Sequence, residues 1–448
     1  MRLDVHLIVP GPTLGTVLLA PDETLPAFVA DGDADEAAIV PIDAVLRQSW
    51  RFGAPVLETH PQWRGVPEGE PIPVLTTTDR APASWTPPDG LMFGPLPDEL
   101  DGLPASLQPR AREWLAELAS GAPTPPLRPR WSRPGWHARA ASWMTTAADR
   151  AGRPLTDEPR PFYLRGISAL LRAPTATGDL FLKAVFPPFH AEPVLTQLLA
   201  ERFPVHLPTV VAIEPDEGWL LVGDIAATLI SELPKGDRAN ALAIGARAIV
   251  EVQSVLAARP GDLAILTAAG APHRPLGDLA PAFATSVGSD VLVTADDQFD
   301  VLRQERATAA VERAVPRVES LGLPVTVVHG DFHSGNAALV DGRGVIIDWS
   351  DAALGNPAVD LVTWISWSQG DIGEIGPAVH AWIDAWSGAV DPVALRNRLD
   401  DILVVGAAYQ VVSYDGIVRA LEPATRYTMA GGAGHFLKEI ETVIERAV

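Results

Sequence analysis

Cysteine is absent from the 448-residue chain. Its absence excludes disulfide bonds, thiolate metal sites and thiol nucleophiles. Basic residues are also scarce, because 34 lysines and arginines are outnumbered by 56 aspartates and glutamates, which gives a formal net charge of −22. A surface with this excess of negative charge repels the phosphates of nucleic acids and of anionic lipids, so we expect neither nucleic acid nor a membrane as a partner. The same charge is compatible with a cationic substrate.

The amino-terminal segment lacks the pattern of a secretion signal, since Asp4, His6, Pro10 and Pro12 interrupt its apolar residues. The sequence also shows no continuous apolar run that is long enough to predict a membrane-spanning helix. Hydrophobic residues make up 47% of the chain and charged residues 20%, as in folded globular proteins. At this length we expect more than one domain. Because the secretion and membrane patterns are absent, we expect a cytoplasmic protein.

Residues 1–120 are predicted to form a small α+β domain. Apolar residues at helical spacing between Leu107 and Leu118 indicate one helix in its last part. The segment that follows, 121–134, is rich in proline and is predicted to be a stiff linker. Four short runs separated by proline, glycine and aspartate are typical of strands: Leu3–Val9, Thr16–Leu19, Pro41–Val45 and Ile72–Thr76.

The rest of the chain divides into a β-rich part and a helical part. A helix is predicted at Trp136–Gly152, and strand patterns dominate from residue 162 to 224, interrupted by one helical stretch at Glu192–Glu201. Helical periodicity dominates after this region. We therefore predict a domain at 135–225 with one leading helix and a β-sheet, followed by a helical domain at 226–448.

The segment between residues 327 and 348 is the most informative about chemistry. An apolar strand leads to Asp331, Asn336 follows five residues later, and Asp348 ends a second apolar strand. Phosphoryl transfer needs a carboxylate that accepts the proton of the attacking hydroxyl, and oxygen ligands that hold Mg²⁺ on the phosphates. Aspartate and asparagine also close ordinary turns, which is the alternative interpretation of each residue alone. Together they supply a base and two metal ligands.

Three sequence segments, HGDFHSGN, VIIDW and ALGNPAVDL, resemble those of the aminoglycoside phosphotransferase and choline kinase family, a small-molecule branch of the protein-kinase-like fold. The resemblance implies an α+β, bilobal fold, with a β-rich amino-terminal lobe within 135–225 and a helical carboxy-terminal lobe within 226–448. It also implies that the γ-phosphoryl group of ATP or GTP is transferred, with Mg²⁺, to a hydroxyl of a small molecule. The acceptor classes are amino sugars, aminoglycoside-like antibiotics, sugars and amino alcohols.

The same resemblance implies roles for individual residues. Asp331 is the expected catalytic base, and Asn336 and Asp348 are the expected magnesium ligands. His329 is expected to brace the loop without reacting, and Asp360 to anchor the helix that follows it.

The β-rich domain is expected to hold the nucleotide. Lys183 is a single cation in an apolar strand, where it needs a partner unless it points to solvent from an edge. The kinase-like fold assigns such a lysine to the α- and β-phosphates and to a helix glutamate, for which Glu192 is expected and Glu201 is the alternative. A hairpin at Ser168 is expected to cover the phosphates, and the segment around Gly223 to contact the purine as a hinge.

The acceptor is expected to bind in the helical domain. Asp351 lies just after the second metal ligand, and Tyr409 and Ser413 share a helical face at i, i+4, with Asp415 close behind. Core packing and a helix terminus are the alternative explanations for these four residues.

Two other functions compete with a small-molecule kinase. A protein kinase is disfavoured, because the few residues between Ser350 and Pro357 leave no room for a long activation segment. A catalytically idle, nucleotide-binding regulatory module is the second alternative. It is disfavoured because the candidate lysine, base and metal ligands are all present. Residues 1–120 are similar to the cap domains of some bacterial sugar kinases of this family by position only.

Overall fold

The computed structural model divides the described chain into two compact units. The amino-terminal unit consists of Met1–Phe186 and Leu421–Thr428, and the carboxy-terminal unit of Pro187–Ala420 and Met429–Val448. The predicted domain boundaries at residues 120, 134 and 225 stay predictions. The structure describes residues 2–32, 39–62, 65–120, 124–289, 301–368, 372–429 and 431–446.

The first part of the amino-terminal unit is a mixed sheet with helices. Its elements are β1 Arg2–Ile8, β2 Thr16–Leu19, β3 Ala27–Asp31, α1 Ile39–Gln48, β4 Val56–Pro61, β5 Ile72–Thr78, β6 Met92–Pro95 and α2 Gln108–Ser120. Four strands are ordered β3-β1-β5-β4, with β1 parallel to β5 and the other pairs antiparallel. The small α+β arrangement expected here is therefore present.

One predicted strand of this part is wrong. The segment Pro41–Val45 belongs to helix α1, because Ile39, Ile42 and Leu46 fall on one helical face and are buried. Proline is tolerated in the first turn of a helix, where its missing N–H has no intrahelical partner to lose. The β-branched residues of this segment suggested a strand, but the period of burial is helical.

The second part of the amino-terminal unit is a helix followed by an antiparallel sheet. Its elements are α3 Trp136–Arg150, β7 Arg160–Leu164, β8 Ser168–Thr175 and β9 Gly178–Val185. β8 pairs with both neighbours, and Lys183 of β9 lies opposite Leu170 of β8.

The carboxy-terminal unit is mainly helical. Its elements are α4 Glu192–Arg202, β10 Val210–Glu214, β11 Trp219–Gly223, α5 Lys235–Ala257, α6 Pro260–Ala268, β12 His273–Arg274, α7 Leu279–Val287, α8 Val301–Glu319, β13 Thr326–Val328, β14 Ala337–Val340, β15 Arg343–Ile346, β16 Ala353–Gly355, α9 Asp360–Ser366, α10 Ile372–Ala385, α11 Pro392–Asn397, α12 Leu399–Ala420 and α13 Gly432–Arg446. Three of its strands form the small sheet β12-β16-β13, and β14 and β15 form a hairpin.

Helices α5 and α12 form the centre of this unit. α5 packs on α10, and α12 packs on α7, α8, α9 and α13. By length and composition both helices pass a test for membrane spans, but 61% and 72% of their most apolar windows are buried inside the protein. Burial of this extent is typical of core helices in soluble proteins. It also explains why both are apolar on nearly all sides.

Candidate active site

Two short strands and a hairpin carry the predicted catalytic residues to one place. β13 runs antiparallel to β16, and the chain leaves β13 into the loop that contains Asp331. The hairpin of β14 and β15 then returns the chain, and the backbone N–H of Ile347 donates to the carbonyl of Asn336 at 2.9 Å. Because Asp348 follows Ile347 directly, all three predicted residues lie close together.

Asn336 is oriented by the residue that is predicted to be the base. Its Nδ2 donates to the backbone carbonyl of Asp331 at 2.9 Å and lies 3.3 Å from Asp331 Oδ2. His333 Nδ1 accepts from the N–H of Gly335, so its Nε2 carries the proton and faces Asp331 Oδ2 at 3.5 Å. Two donors therefore face one oxygen of Asp331. The other oxygen, Oδ1, has no partner within the described part of the chain.

His329 is fully buried and links the two segments of the site. Its Nδ1 accepts from the backbone N–H of Asp331 at 3.3 Å, and its Nε2 donates to the carbonyl of Ile347 at 3.0 Å. Burial lowers the pKa of His329 to about 4, although the hydrogen bond to Ile347 acts in the opposite direction. The ring is therefore neutral at physiological pH. It holds residues 329–336, which carry the predicted base and are called the base loop, against the strand that leads to Asp348.

Asp360, at the start of α9, fixes the beginning of the base loop. Its carboxylate accepts the backbone N–H of His329 at 2.9 Å and that of Gly330 at 2.8 Å, and Gln253 Nε2 donates to it at 2.7 Å. Burial raises its pKa to about 6, although these three donors favour the charged form. Asp360 therefore joins the base loop to α9 and to α5.

Two carboxylates meet at Ser350. The Ser350 hydroxyl lies 2.6 Å from Asp348 Oδ1 and 3.1 Å from Glu192 Oε2. Glu192 of α4 is thereby brought next to a predicted metal ligand. Lys183 is buried on β9 and belongs to the other compact unit, so its pairing with Glu192 stays a prediction.

The donor set at this place fits magnesium. Asp348 offers a carboxylate, and the orientation of the Asn336 amide leaves its Oδ1 as an oxygen donor. Among the residues that the structure describes, no group of three or more histidines and carboxylates is arranged to hold a metal alone. Mg²⁺ usually takes one or two protein carboxylates and completes its shell with phosphate oxygens and water. These residues are therefore suited to a metal that binds together with a nucleotide.

The remaining predicted nucleotide residues lie on strands. Ser168 begins β8 and is buried. Gly223 ends β11, where its N–H donates to the carbonyl of Thr209 at 2.9 Å. The next residue, Asp224, accepts the N–H of Ala226 at 2.9 Å and so closes a turn. The nucleotide contacts of Ser168 and Gly223 stay predictions.

Two of the four predicted acceptor residues contact one arginine, and a third is linked to it through Ser413. Arg274 Nη1 donates to the hydroxyl of Tyr409 at 3.1 Å and to that of Ser413 at 3.2 Å. The Ser413 hydroxyl in turn lies 3.3 Å from Asp351 Oδ1. β12, the loop after Asp348 and α12 therefore supply one polar cluster beside the base loop.

Asp415, the fourth predicted acceptor residue, belongs to a different cluster. Both of its oxygens accept from Arg419 Nε at 3.0 Å, and the hydroxyls of Ser286 and Ser289 donate to it at 3.2 and 2.9 Å. The structure thus does not bring Asp415 together with the other three, and its proposed contact with an acceptor stays a prediction.

Two further residues of this site, Arg274 and Gln410, carry no motif in the sequence. Arg274 lies in a two-residue strand that no motif marks. The Gln410 side chain donates to the carbonyl of Gly330, in the base loop. In the sequence, Gln410 stands out only as one amide within an otherwise apolar helical segment, VVGAAYQVV.

Comparison with known proteins gives the family. The phosphotransferase enzyme family, APH, matches residues 163–396, a little more than half of the chain. No curated protein shows significant similarity to the sequence. Residues before 163 lie outside the family match.

Solved structures similar to this chain share a low sequence identity with it. A macrolide 2′-phosphotransferase from Brachybacterium faecium is 18% identical, with 65% of this chain and 98% of that chain covered at a TM-score of 0.44. A choline/ethanolamine kinase family protein from Mesorhizobium loti is 16% identical, with 67% and 95% covered at 0.46. A choline kinase from Cryptosporidium parvum is 10% identical, with 65% and 90% covered at 0.46. The family match over residues 163–396 shows that the chain belongs to the phosphotransferase enzyme family and is a small-molecule kinase, so the predicted α+β, protein-kinase-like fold is confirmed.

Proposed function

We propose that this kinase transfers the γ-phosphoryl group of ATP or GTP to a hydroxyl of a small molecule in a magnesium-dependent reaction, with Asp331 as the base. The free oxygen of Asp331 is the observation that carries the proposal. Asn336 and His333 face Oδ2, whereas Oδ1 has no partner among the described residues, and the side chain is 38% exposed. A carboxylate with one oxygen held and the other accessible is suited to accept the proton of a substrate hydroxyl.

The reaction follows from this arrangement. The acceptor hydroxyl lies against Asp331 Oδ1 and loses its proton to that oxygen. The hydroxyl oxygen forms a bond to the γ-phosphorus while the bond from the γ-phosphorus to the bridging oxygen breaks, and the nucleoside diphosphate leaves with the electron pair. Asp331 then releases the proton to water. His333 and Asn336 keep the carboxylate oriented throughout.

Asp348 and Asn336 would hold the metal. When bound, Mg²⁺ would neutralise part of the negative charge of the phosphates. Ser350 holds Asp348 through a 2.6 Å hydrogen bond, which restricts the rotamers of that carboxylate. We assign Lys183 to the α- and β-phosphates, Ser168 to the phosphate-covering hairpin and Gly223 to the purine hinge.

The strongly acidic composition supports two further parts of the proposal. A net charge of −22 disfavours nucleic acid and anionic membranes as partners. A cytoplasmic location, where nucleotide and Mg²⁺ are available, is part of the same proposal.

The test is a nucleotide-consumption assay with Mg²⁺ and a panel of acceptors that contains neutral sugars, amino sugars, aminoglycosides, macrolides and amino alcohols. At least one acceptor is expected to increase release of nucleoside diphosphate above the basal rate. Asp331→Asn is expected to reduce this stimulated rate by about 10²- to 10⁴-fold, the usual contribution of a general base. Nucleotide affinity, measured by calorimetry, should stay close to that of the wild type.

Asp400 provides the matched control, because it is an exposed carboxylate at the start of α12. Asp400→Asn should leave transfer unchanged. A wild-type protein that binds nucleotide but responds to no acceptor would instead support the idle regulatory module. Full activity of Asp331→Asn would remove Asp331 from the mechanism.

A further inference from the structure

Arg274 is held by Tyr409 and Ser413 of the predicted acceptor site, and only one of its nitrogens makes these bonds. β12 pairs in parallel with β16, with Arg274 opposite Gly355, and this pairing fixes the backbone of the arginine. Nη1 donates to the hydroxyls of Tyr409 and Ser413, and the guanidinium lies over the Tyr409 ring at 5.2 Å from its centroid. The position of the guanidinium is therefore determined by the protein before any ligand binds.

The other nitrogens of this guanidinium are available. Within the described part of the chain, Nε and Nη2 of Arg274 have no hydrogen-bond partner, and the arginine forms no ion pair. Neither nitrogen is among the fully buried atoms that lack a partner, so both reach accessible space. An arginine carries five N–H donors in a rigid plane, and the three on Nε and Nη2 are free for a ligand.

Asp351 places a carboxyl group, which can accept hydrogen bonds from a ligand, beside these N–H donors. Its Oδ1 lies 3.3 Å from the Ser413 hydroxyl, which is also bonded to Arg274. The backbone of Asp351 packs directly against Gly330, the residue before the base. The pair of Arg274 and Asp351 therefore lies next to the place where the reacting hydroxyl must meet Asp331.

The charges around this pair select the chemistry of the ligand. Asp331 follows Gly330, which packs against the backbone of Asp351, and Asp348 lies three residues before Asp351. The carboxylates of Asp331 and Asp348 repel an anionic acceptor, while the Arg274 guanidinium repels an ammonium group placed against it. A neutral hydroxyl avoids both penalties, since it accepts from the guanidinium through its oxygen and donates to the carboxylate through its hydrogen.

We infer that Arg274 and Asp351 bind neighbouring hydroxyl groups of a neutral sugar, and that Arg274 is a specificity residue that rejects an amino group at this position. The inference rests on the proposed phosphotransferase function and names the substrate class of the same site. It narrows the earlier statement, drawn from net charge alone, that the protein is compatible with a cationic substrate. The overall charge acts at long range, whereas the local arginine decides contact at the site.

The experiment compares matched pairs of sugars that differ by one hydroxyl or amino group: glucose with glucosamine, galactose with galactosamine, and mannose with mannosamine. The wild-type enzyme is expected to phosphorylate at least one neutral sugar with a kcat/KM about tenfold or more above its amino partner, as the loss or mismatch of one hydrogen-bonded group predicts. This comparison requires no variant and is therefore independent of folding.

Arg274→Met tests the residue itself. The variant is expected to raise the KM for the neutral sugar by about 10- to 100-fold and to narrow the neutral-to-amino ratio, because the repulsion of the ammonium group is lost as well. Arg274→Lys should recover only part of the affinity, since a point charge lacks the planar fork. Arg396→Met is the matched control on α11, where Arg396 pairs with the exposed Asp384, and its sugar KM should equal that of the wild type.

The outcomes separate this inference from the proposed function. The inference would be overturned if the wild type preferred amino sugars. It would also be overturned if folded Arg274→Met kept the wild-type ratio of kcat/KM between the neutral and the amino sugar. Stimulation by amino alcohols, aminoglycosides or macrolides but by no neutral sugar would also overturn it while sustaining the kinase proposal. No stimulation by any member of the panel would reject the proposed function and the inference together.

Discussion

Gly330 packs directly against the backbone of Asp351. A methyl group on Gly330 would overlap the carbonyl group of Asp351, whose carbon would lie 2.9 Å away. Gly330 also has a φ of +82°, in a region that L side chains rarely adopt. The residue before the base must therefore be glycine for two separate reasons. The close contact also couples the position of Asp331 to that of the acceptor-site loop.

Gly330→Ala is expected to lower kcat/KM by about 100-fold, because displacement of the base loop by about 1 Å is sufficient for a loss of that size. Steady-state kinetics with the best acceptor of the panel measure this effect. Gly342→Ala is the matched control, since Gly342 has a φ of +75° but no atom within 4 Å of an added Cβ. It should cost only the left-handed strain of about 1 kcal/mol in stability and retain activity. Equal losses of activity in the two variants would contradict the role of the contact.

The proximity of the predicted base and metal ligands could be predicted from sequence because these residues are close in the chain. Asp331, Asn336 and Asp348 lie on adjacent short elements, so the spacing alone nearly fixes their proximity. Arg274 reaches the same site from β12, and its contacts with Tyr409 and Ser413 join residues that are far apart in sequence. A single sequence carries no signal for such a long-range meeting.

The wrong strand prediction at Pro41–Val45 has a different physical origin. Pro41–Val45 has the composition of a strand, but the burial of Ile39, Ile42 and Leu46 on one face makes it a helix. Tertiary packing therefore decided the structure of this segment. The i, i+4 spacing of Asp415 and Arg419 predicts the ion pair that the structure shows, and a contact of Asp415 with an acceptor stays a prediction.

Asp360→Asn is expected to destabilise the carboxy-terminal unit by about 3 kcal/mol. The buried carboxylate accepts hydrogen bonds from three N–H groups, whereas an amide has one oxygen acceptor and an NH₂ group that cannot accept. Asp360 is 1% exposed. Guanidinium denaturation measures the change in the free energy of unfolding. The exposed Asp384 is the control, and Asp384→Asn should cost less than about 1 kcal/mol, as surface ion pairs do. Similar losses in both variants would show that the bonds to His329 and Gly330 do not stabilise the loop.

The carboxyl of Asp351 makes stability depend on pH. Burial, and after it the charge of Asp331, raises its pKa to about 7, whereas an aspartate in an unfolded chain has a pKa of about 3.9. The native state therefore holds this proton more tightly. The resulting stability is fully present below about pH 4 and is lost as the pH rises through about 7.

Asp351→Asn removes this ionisation, so the variant should become more stable relative to the wild type as the pH rises. The difference in Tm, variant minus wild type, is expected to increase by about 5–10 °C between pH 5 and pH 8.5, because a carboxyl with a pKa of about 7 costs the wild type about 3 kcal/mol over this range. Differential scanning calorimetry at the two pH values measures it. A difference that is the same at both, or that decreases, would show that Asp351 is not protonated near neutral pH in the folded protein.

Glu422 is shared by two buried arginines of the amino-terminal unit. Its carboxylate accepts from Arg110 at 3.2 Å and from Arg128 at 2.8 Å, and Arg110 also pairs with Glu58 at 2.6 Å. Burial alone would raise the pKa of Glu422, but the hydrogen bonds from Arg128 and Arg110 outweigh it and lower the pKa. This cluster ties the segment Leu421–Thr428 to the amino-terminal sheet and to α2.

Glu422→Gln is expected to reduce the free energy of unfolding of the amino-terminal unit by about 3–5 kcal/mol, because it leaves two buried guanidinium groups without a shared counter-charge. Glu113 is the matched control, since it binds the same Arg110 at 2.8 Å but its side chain is 56% exposed. Glu113→Gln should cost less than about 1 kcal/mol, because solvent screens the exposed pair. Urea denaturation followed by tryptophan fluorescence measures both changes. Equal losses in the free energy of unfolding would mean that burial does not strengthen the ion pairs of Arg110. Glu422 would then hold Leu421–Thr428 no more firmly than a surface ion pair does.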